Sequence, residues 1–288
     1  DWSSDVCSSD LDNQPIEIER GVFPDGAVWL RVMSELPRFA QVMRVRVAAM
    51  RDMNDFMLLA QLTDAVRHVT DIAVSHLELA WLPWARQDRH MVSGDSFALK
   101  VFANQLNVLN FDKVFLLDPH SDAAAAAINN SVVIAQEECL MKSETLRQAI
   151  RAGKLMLVAP DAGALKKIHN VAKASGARDY AILTKERDVT TGNLTGFALV
   201  SGDVAGKDVL IVDDLCDAGG TFIGSAQVLR DAGARSVSLY VTHGVFSKGV
   251  ENLLHNGIDA IYTTTSFASS ELREPRVEFI DIDTIFCA

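Results

Sequence analysis

Short apolar runs alternate with amphipathic stretches of helix length along most of the chain. The clearest runs are LELAWLP (77–83), KVFLLDP (113–119), KLMLVAP (154–160), YAILTK (180–185), DVLIVDD (208–214) and VSLYVTH (237–243). Each is almost continuously hydrophobic and ends in polar or turn-forming residues, as a strand buried on both faces does. Between the last two, FIGSAQVLRDAGA (222–234) puts Phe222, Ala226 and Leu229 on one helical face, with Gly233 as a stop. SFALKVFANQLNVLN (96–110) repeats Phe97, Val101, Leu106 and Leu109 near the same period. The alanines at 123–127 read as a helix with Asp122 as its N-cap. Strands separated by helices predict an α/β fold with parallel sheets covered on both faces.

A weak internal echo points to two similar halves. VFLLDPHSDAA (114–124) aligns without gaps on VLIVDDLCDAG (209–219), setting Asp118 on Asp213, Asp122 on Asp217 and Ala123 on Ala218. Chance resemblance of strand ends is an equal alternative. A polar, acidic stretch near 135–150 is the expected break, giving domains at 12–142 and 143–288. Residues 1–11, DWSSDVCSSDL, match the in-frame translation of a sequencing-adapter oligonucleotide and are set aside from fold reasoning.

Net charge is −11, which disfavours nucleic acid and anionic membranes as partners. No uncharged apolar run has membrane-spanning length. Cys139, Cys216 and Cys287 have no metal-like spacing, and their odd number argues against a disulfide framework. The expected compartment is the reducing cytoplasm.

VLIVDDLCDAGGT (209–221) carries the chemistry. Ligands of open parallel sheets sit beyond the carboxyl ends of the strands. Gly219 and Gly220 permit close backbone approach, and the following helix start and the Thr221 hydroxyl suit a phosphate. Asp213 and Asp214 would repel that phosphate. They suit sugar hydroxyls or a metal ion that also holds phosphate. The expected ligand is a sugar phosphate.

This stretch resembles the phosphoribosyl-pyrophosphate (PRPP) loop shared by type I phosphoribosyltransferases and ribose-phosphate pyrophosphokinases. Further segments are similar to the pyrophosphokinases in family order: GVFPDG (21–26), MNDFMLL (53–59), WARQDRH (84–90), LLDPHS (116–121), APDAG (159–163), TKER (184–187) and VTHGVFSKG (241–249). The resemblance implies two tandem type I phosphoribosyltransferase-like domains, each a mainly parallel sheet flanked by helices. It implies magnesium-dependent attack of a sugar's anomeric hydroxyl on the β-phosphorus of ATP, releasing AMP. It assigns Lys185, Arg187 and His120 to catalysis, His120 and Asp161 to magnesium, and Phe23, Asp25, Arg86, Gln87 and Asp88 to ATP. Asp213, Asp214, Asp217, Ala218, Gly219, Gly220 and Thr221 would hold the ribose phosphate. The polar stretch 188–196 would close as a lid. A homo-oligomer, dimer or hexamer, with a shared ATP site is implied as well.

Three departures bear on the acceptor. Ala218 replaces a hydroxyl-bearing residue of the usual loop, Ala27 replaces an acid near the adenine, and Pro119 replaces a leucine. The phosphate seat loses a donor, so the acceptor is either ribose 5-phosphate or a larger 5-substituted ribose phosphate. ADP-ribose is the leading larger candidate, since divergent phage members resembling this family make ADP-ribose pyrophosphate while rebuilding NAD. Two other readings stay open. One is a PRPP-consuming phosphoribosyltransferase, and the other is a non-catalytic regulatory homologue.

Overall fold

A computed structural model describes residues 7–187, 194–267 and 272–287. The chain divides into two compact units, Asp1–Ile134 and Ala135–Ala288. The first unit contains β1 (Cys7–Leu11), β2 (Gln14–Pro15), β3 (Ile18–Val22), β4 (Val28–Val32), β5 (Phe39–Ala49), α1 (Met53–Val69), β6 (Asp71–Trp81), α2 (Ala98–Val108), β7 (Lys113–Leu117), α3 (Asp122–Ala127) and β8 (Ser131–Ile134). Its sheet runs β2-β1-β5-β6-β7-β8, with β5 to β8 parallel and β1 antiparallel to both neighbours. Strands β3 and β4 form a separate antiparallel hairpin.

The second unit contains α4 (Gln136–Leu140), α5 (Glu144–Arg151), β9 (Leu155–Ala159), a 3₁₀ turn at Ala162–Ala164, α6 (Leu165–Ser175), β10 (Tyr180–Arg187), β11 (Leu194–Ser201), β12 (Asp208–Cys216), α7 (Gly220–Asp231), β13 (Ser236–Gly244), α8 (Val250–Leu254), β14 (Ala260–Thr264), β15 (Val277–Ile280) and α9 (Ile282–Phe286). Its sheet runs β11-β10-β9-β12-β13-β14-β15 and is parallel except for β11.

Consecutive burial reveals the covered faces. Val209, Leu210, Ile211 and Val212 are all buried, as are Leu77, Leu79 and Ala80 on β6. A strand exposed on one face would alternate instead. Val209 and Ile211 join a core with Phe222, Ala226 and Leu229 of α7, the face expected from their spacing. Gly233 takes φ 88° just beyond that helix, so a left-handed residue does end it.

Three expectations change. In α2 the buried face is Leu99, Phe102, Ala103 and Leu106, while Val101 is 60% exposed. Their spacing fits a helical stripe, whereas the 97–101–106–109 series drifts around the axis. Ser121, not Asp122, caps α3: its backbone is extended and its Oγ accepts from the Ala124 amide. Asp122 is already helical and lies near the positive end of the helix dipole. Residues 7–11, set aside above, form β1 against Met43–Val47 of β5, and Leu11 is buried. An open sheet edge accepts any extended segment through its backbone, whatever that segment's origin.

Candidate active site

The strands β10, β9 and β12 are adjacent and parallel, so their carboxyl ends meet at one edge of the second unit's sheet. Asp213 and Asp214 lie on β12 beyond Ile211, its last rung with β9, and Asp161 follows β9. Lys185 lies on β10 beyond the last rung it shares with β9, where Ile182 faces Ala159. The topology therefore gathers residues that are far apart in sequence.

Their side chains pair across elements. Lys185 Nζ donates to Asp161 Oδ2 at 2.6 Å, and Lys167 Nζ, on α6, donates to Asp214 Oδ2 at 3.4 Å. Asp161 is held in place by its second oxygen, which accepts from the amides of Gly163 at 2.8 Å and Ala164 at 3.2 Å. Asp214 is buried and Asp213 half-buried. Burial first, then the Asp214 charge and more weakly Asp161, push the Asp213 carboxyl well above the usual carboxylate range, with Lys185 pulling the other way. Crowded carboxylates of this kind favour a visiting cation or hydroxyl donors. Their oxygen-only donor set fits magnesium. Among the described residues no three His, Cys, Asp or Glu side chains converge as a ready-made metal cluster.

The turn after β12 is open where a ligand would enter. Asp217 and Gly220 are exposed, and Ala218 and Thr221 are half-buried. Gly219 sits at φ 83° as the N-cap of α7, and no side chain caps that helix start. A Cβ on Gly219 would lie 2.7 Å from Leu253 Cδ2. The turn is braced from behind by the segment after β13. The amides of Val245 and Phe246 donate to the Cys216 carbonyl at 2.9 and 3.1 Å, and Ser247 Oγ donates to Asp217 Oδ1 at 2.7 Å.

In the first unit, the ATP candidates fall on two segments, and His120 lies on a third. Arg86 and Gln87 are exposed on the turn after β6. Asp88 beside them is buried and serves as a clip. It accepts from Arg89 Nε at 2.8 Å and from Ser121 Oγ at 2.6 Å, joining the turn after β6 to the one after β7. The Arg89 guanidinium, then the Ser121 hydroxyl, hold its carboxyl down to about 2. His120 is exposed on that second turn, beside Asp118 at φ 37°. Phe23 and Asp25 lie at the tip of the β3–β4 hairpin, where the Phe23 ring is 54% exposed and Asp25 Oδ1 accepts from the Ala27 amide. The Arg187 side chain, and residues 188–193 of the expected lid, lie outside the described residues.

The clip gives a prediction with a definite sign. A depressed carboxylate stabilises the fold above its unfolded pKa, and that contribution fades as pH falls from about 4 toward 2. Asp88→Asn should lower stability by about 1 kcal/mol at pH 7. Thermal melts should show the gap from wild type closing over that acidic interval, and a constant gap would contradict the clip.

Lys167, Ser121 and Ser247 escaped sequence reasoning. Ser121 had a usable signal, as a cap-type residue before an alanine run. Lys167 had none, and Ser247, though inside the segment VTHGVFSKG, was given no role, since their partners stand 47 and 30 residues away.

Comparison with known proteins follows the geometry. The phosphoribosyl synthetase-associated domain matches residues 188–288. The ribose-phosphate pyrophosphokinase of Sulfurisphaera tokodaii is 26% identical over 252 residues, covering 87% of this chain and 84% of that protein. The Shewanella oneidensis enzyme of the same name is 30% identical over 249 residues, covering 85% and 76%. The crystal structure of phosphoribosylpyrophosphate synthetase from Mycobacterium smegmatis superposes with a TM-score of 0.77 at 22% identity, over 96% of this chain and 91% of that one. That likeness fixes the fold as α/β with two tandem phosphoribosyltransferase-like domains, each a mainly parallel sheet flanked by helices. No helix among the described residues is long and apolar enough to cross a membrane. The extent and level of these matches establish that the chain belongs to the ribose-phosphate pyrophosphokinase family of ATP-dependent diphosphotransferases.

Proposed function

We propose that the protein transfers the β,γ-diphosphoryl group of ATP to the anomeric hydroxyl of a ribose phosphate. The observation that carries this reading is the cluster of Lys185, Asp161, Asp213 and Asp214 at three neighbouring strand ends, next to the Gly219 turn. The sugar O1 loses its proton to solvent and bonds to the β-phosphorus, the bond from that phosphorus to the oxygen it shares with the α-phosphorus breaks, and AMP leaves with that oxygen. Asp213 and Asp214 accept the ribose hydroxyls, and the turn 217–221 receives the 5-phosphate end. Lys185 and Arg187 neutralise charge on the transferred group, where positioning and electrostatics do most of the work. Arg86 and Gln87, with Phe23 and Asp25, are assigned to ATP. Asp88 keeps their turn in shape, and its proposed ATP contact becomes indirect. Magnesium, with Asp161 among the residues that would hold it, would supply charge neutralisation on the polyphosphate.

The acceptor is ribose 5-phosphate or ADP-ribose. Ala218 supports the larger one, because a diester carries less charge than a terminal phosphate and loses less when a hydroxyl donor is absent. Incubation with ATP, magnesium and each acceptor separately, read by mass spectrometry, tests both. A diphosphorylated sugar with matching AMP is expected from one of them. AMP from neither rejects the reading. ATP-independent release of pyrophosphate from PRPP with a base would favour a phosphoribosyltransferase instead.

A further inference from the structure

We infer that Lys167 is a positioning residue for the acceptor sugar, acting through Asp214; the inference rests on the function proposed above. Lys167 stands in the first turn of α6, which begins just past Asp161. Its ammonium reaches Asp214 Oδ2 at 3.4 Å, with only 26% of the lysine side chain and 10% of the aspartate side chain exposed. Asp214 stands next to Asp213 near the carboxyl end of β12, and Asp161 shares the same sheet edge. Two of these carboxylates, Asp161 and Asp214, therefore each meet an ammonium group. Lys185 takes Asp161 at 2.6 Å, and Lys167 takes Asp214.

The two pairs differ in a way that matters. The Lys185 contact is short and engages a carboxylate already used as a turn cap. The Lys167 contact is long for a hydrogen bond, so it contributes charge more than direction. Lys167 is carried by a helix of eleven residues rather than a loop, so its compensating charge is fixed before the sugar arrives. Without it, the Asp214 carboxylate, buried next to Asp213, would lose a compensating charge and sit less firmly in the orientation that meets the sugar.

The test is a steady-state comparison of wild type, Lys167→Met and Lys167→Arg with the accepted ribose phosphate, alongside thermal melts. Methionine keeps the apolar stem and removes the charge. Lys167→Met should raise the acceptor KM at least about tenfold while kcat stays within about threefold, because a lost contact to a charged group weakens binding of that order. Lys167→Arg should keep both values within about threefold. An unchanged KM in Lys167→Met overturns the role, as does an equal loss in both variants or a fall in kcat with KM unmoved. Wild-type turnover is measured first. Its absence rejects the diphosphoryl-transfer reading itself, whereas normal turnover with an indifferent Lys167→Met rejects only the part given to Lys167.

Discussion

Replacing Lys185 with alanine is expected to slow AMP release at least a hundredfold, the scale on which loss of a preorganised charge-stabilising donor is felt. The fold should survive the change. The Lys185–Asp161 pair is only partly shielded, at 19% and 26% side-chain exposure, so its removal should cost about 1 kcal/mol or less. Asp161 also keeps its two backbone donors, Gly163 and Ala164. Turnover and melting temperature should therefore separate, with the first collapsing and the second shifting by a few degrees. In the free protein the ammonium rests on Asp161, and a polyphosphate with several charges can draw it away. A rate within tenfold of wild type would contradict the assignment. Full loss of cooperative melting would mean that the pair holds the fold and not the reaction.

Gly219→Ala should combine two penalties. At φ 83° a side chain is strained by about 1 kcal/mol, and the new Cβ would stand 2.7 Å from Leu253 Cδ2 and 3.2 Å from its Cγ. Leu253 is 1% exposed, so it has little room to yield. A total loss of about 2–3 kcal/mol is expected, read by denaturant unfolding, together with a rise of at least about tenfold in acceptor KM. The double variant Gly219→Ala with Leu253→Ala separates the two effects. Trimming Leu253 removes the overlap but not the left-handed strain, so the acceptor KM should stay high. A KM restored to wild type would show that contact, and not backbone shape, sets the turn.

The part of the site that could be read directly from sequence lies on one short segment. The strand, the acids, the glycines and the helix from 209 to 221 follow one another in chain order, and local physics ties each to the next. The continuous apolar runs marked β6, β7, β9, β10, β12 and β13 because strands covered on both faces have no polar register to confuse them. Strand β5 was harder to see. Its residues 39–49 interleave Arg44 and Arg46 with buried Met43, Val45 and Val47, and Arg46 pairs with Glu78 on the neighbouring strand, 2.6 Å away. The α2 face was misread because alternative periods fit a mixed stretch, and the packing partner Phe56 on α1, which meets Phe102 edge-on, decides among them. Cross-element pairs such as Lys167 with Asp214, or Ser121 with Asp88, exist only after the sheet brings distant strand ends together.

The hydrogen bonds from Val245, Phe246 and Ser247 to Cys216 and Asp217 have a thermodynamic consequence. A free loop of five residues that stiffened around its guest would surrender about 1 kcal/mol or more of chain entropy per residue. Here the neighbouring segment already fixes Cys216 and Asp217, the entry to that turn, as part of the fold. On the function proposed above, affinity for the pentose would be correspondingly less diluted by ordering, and selectivity would rest on how well a pre-shaped socket matches what enters it.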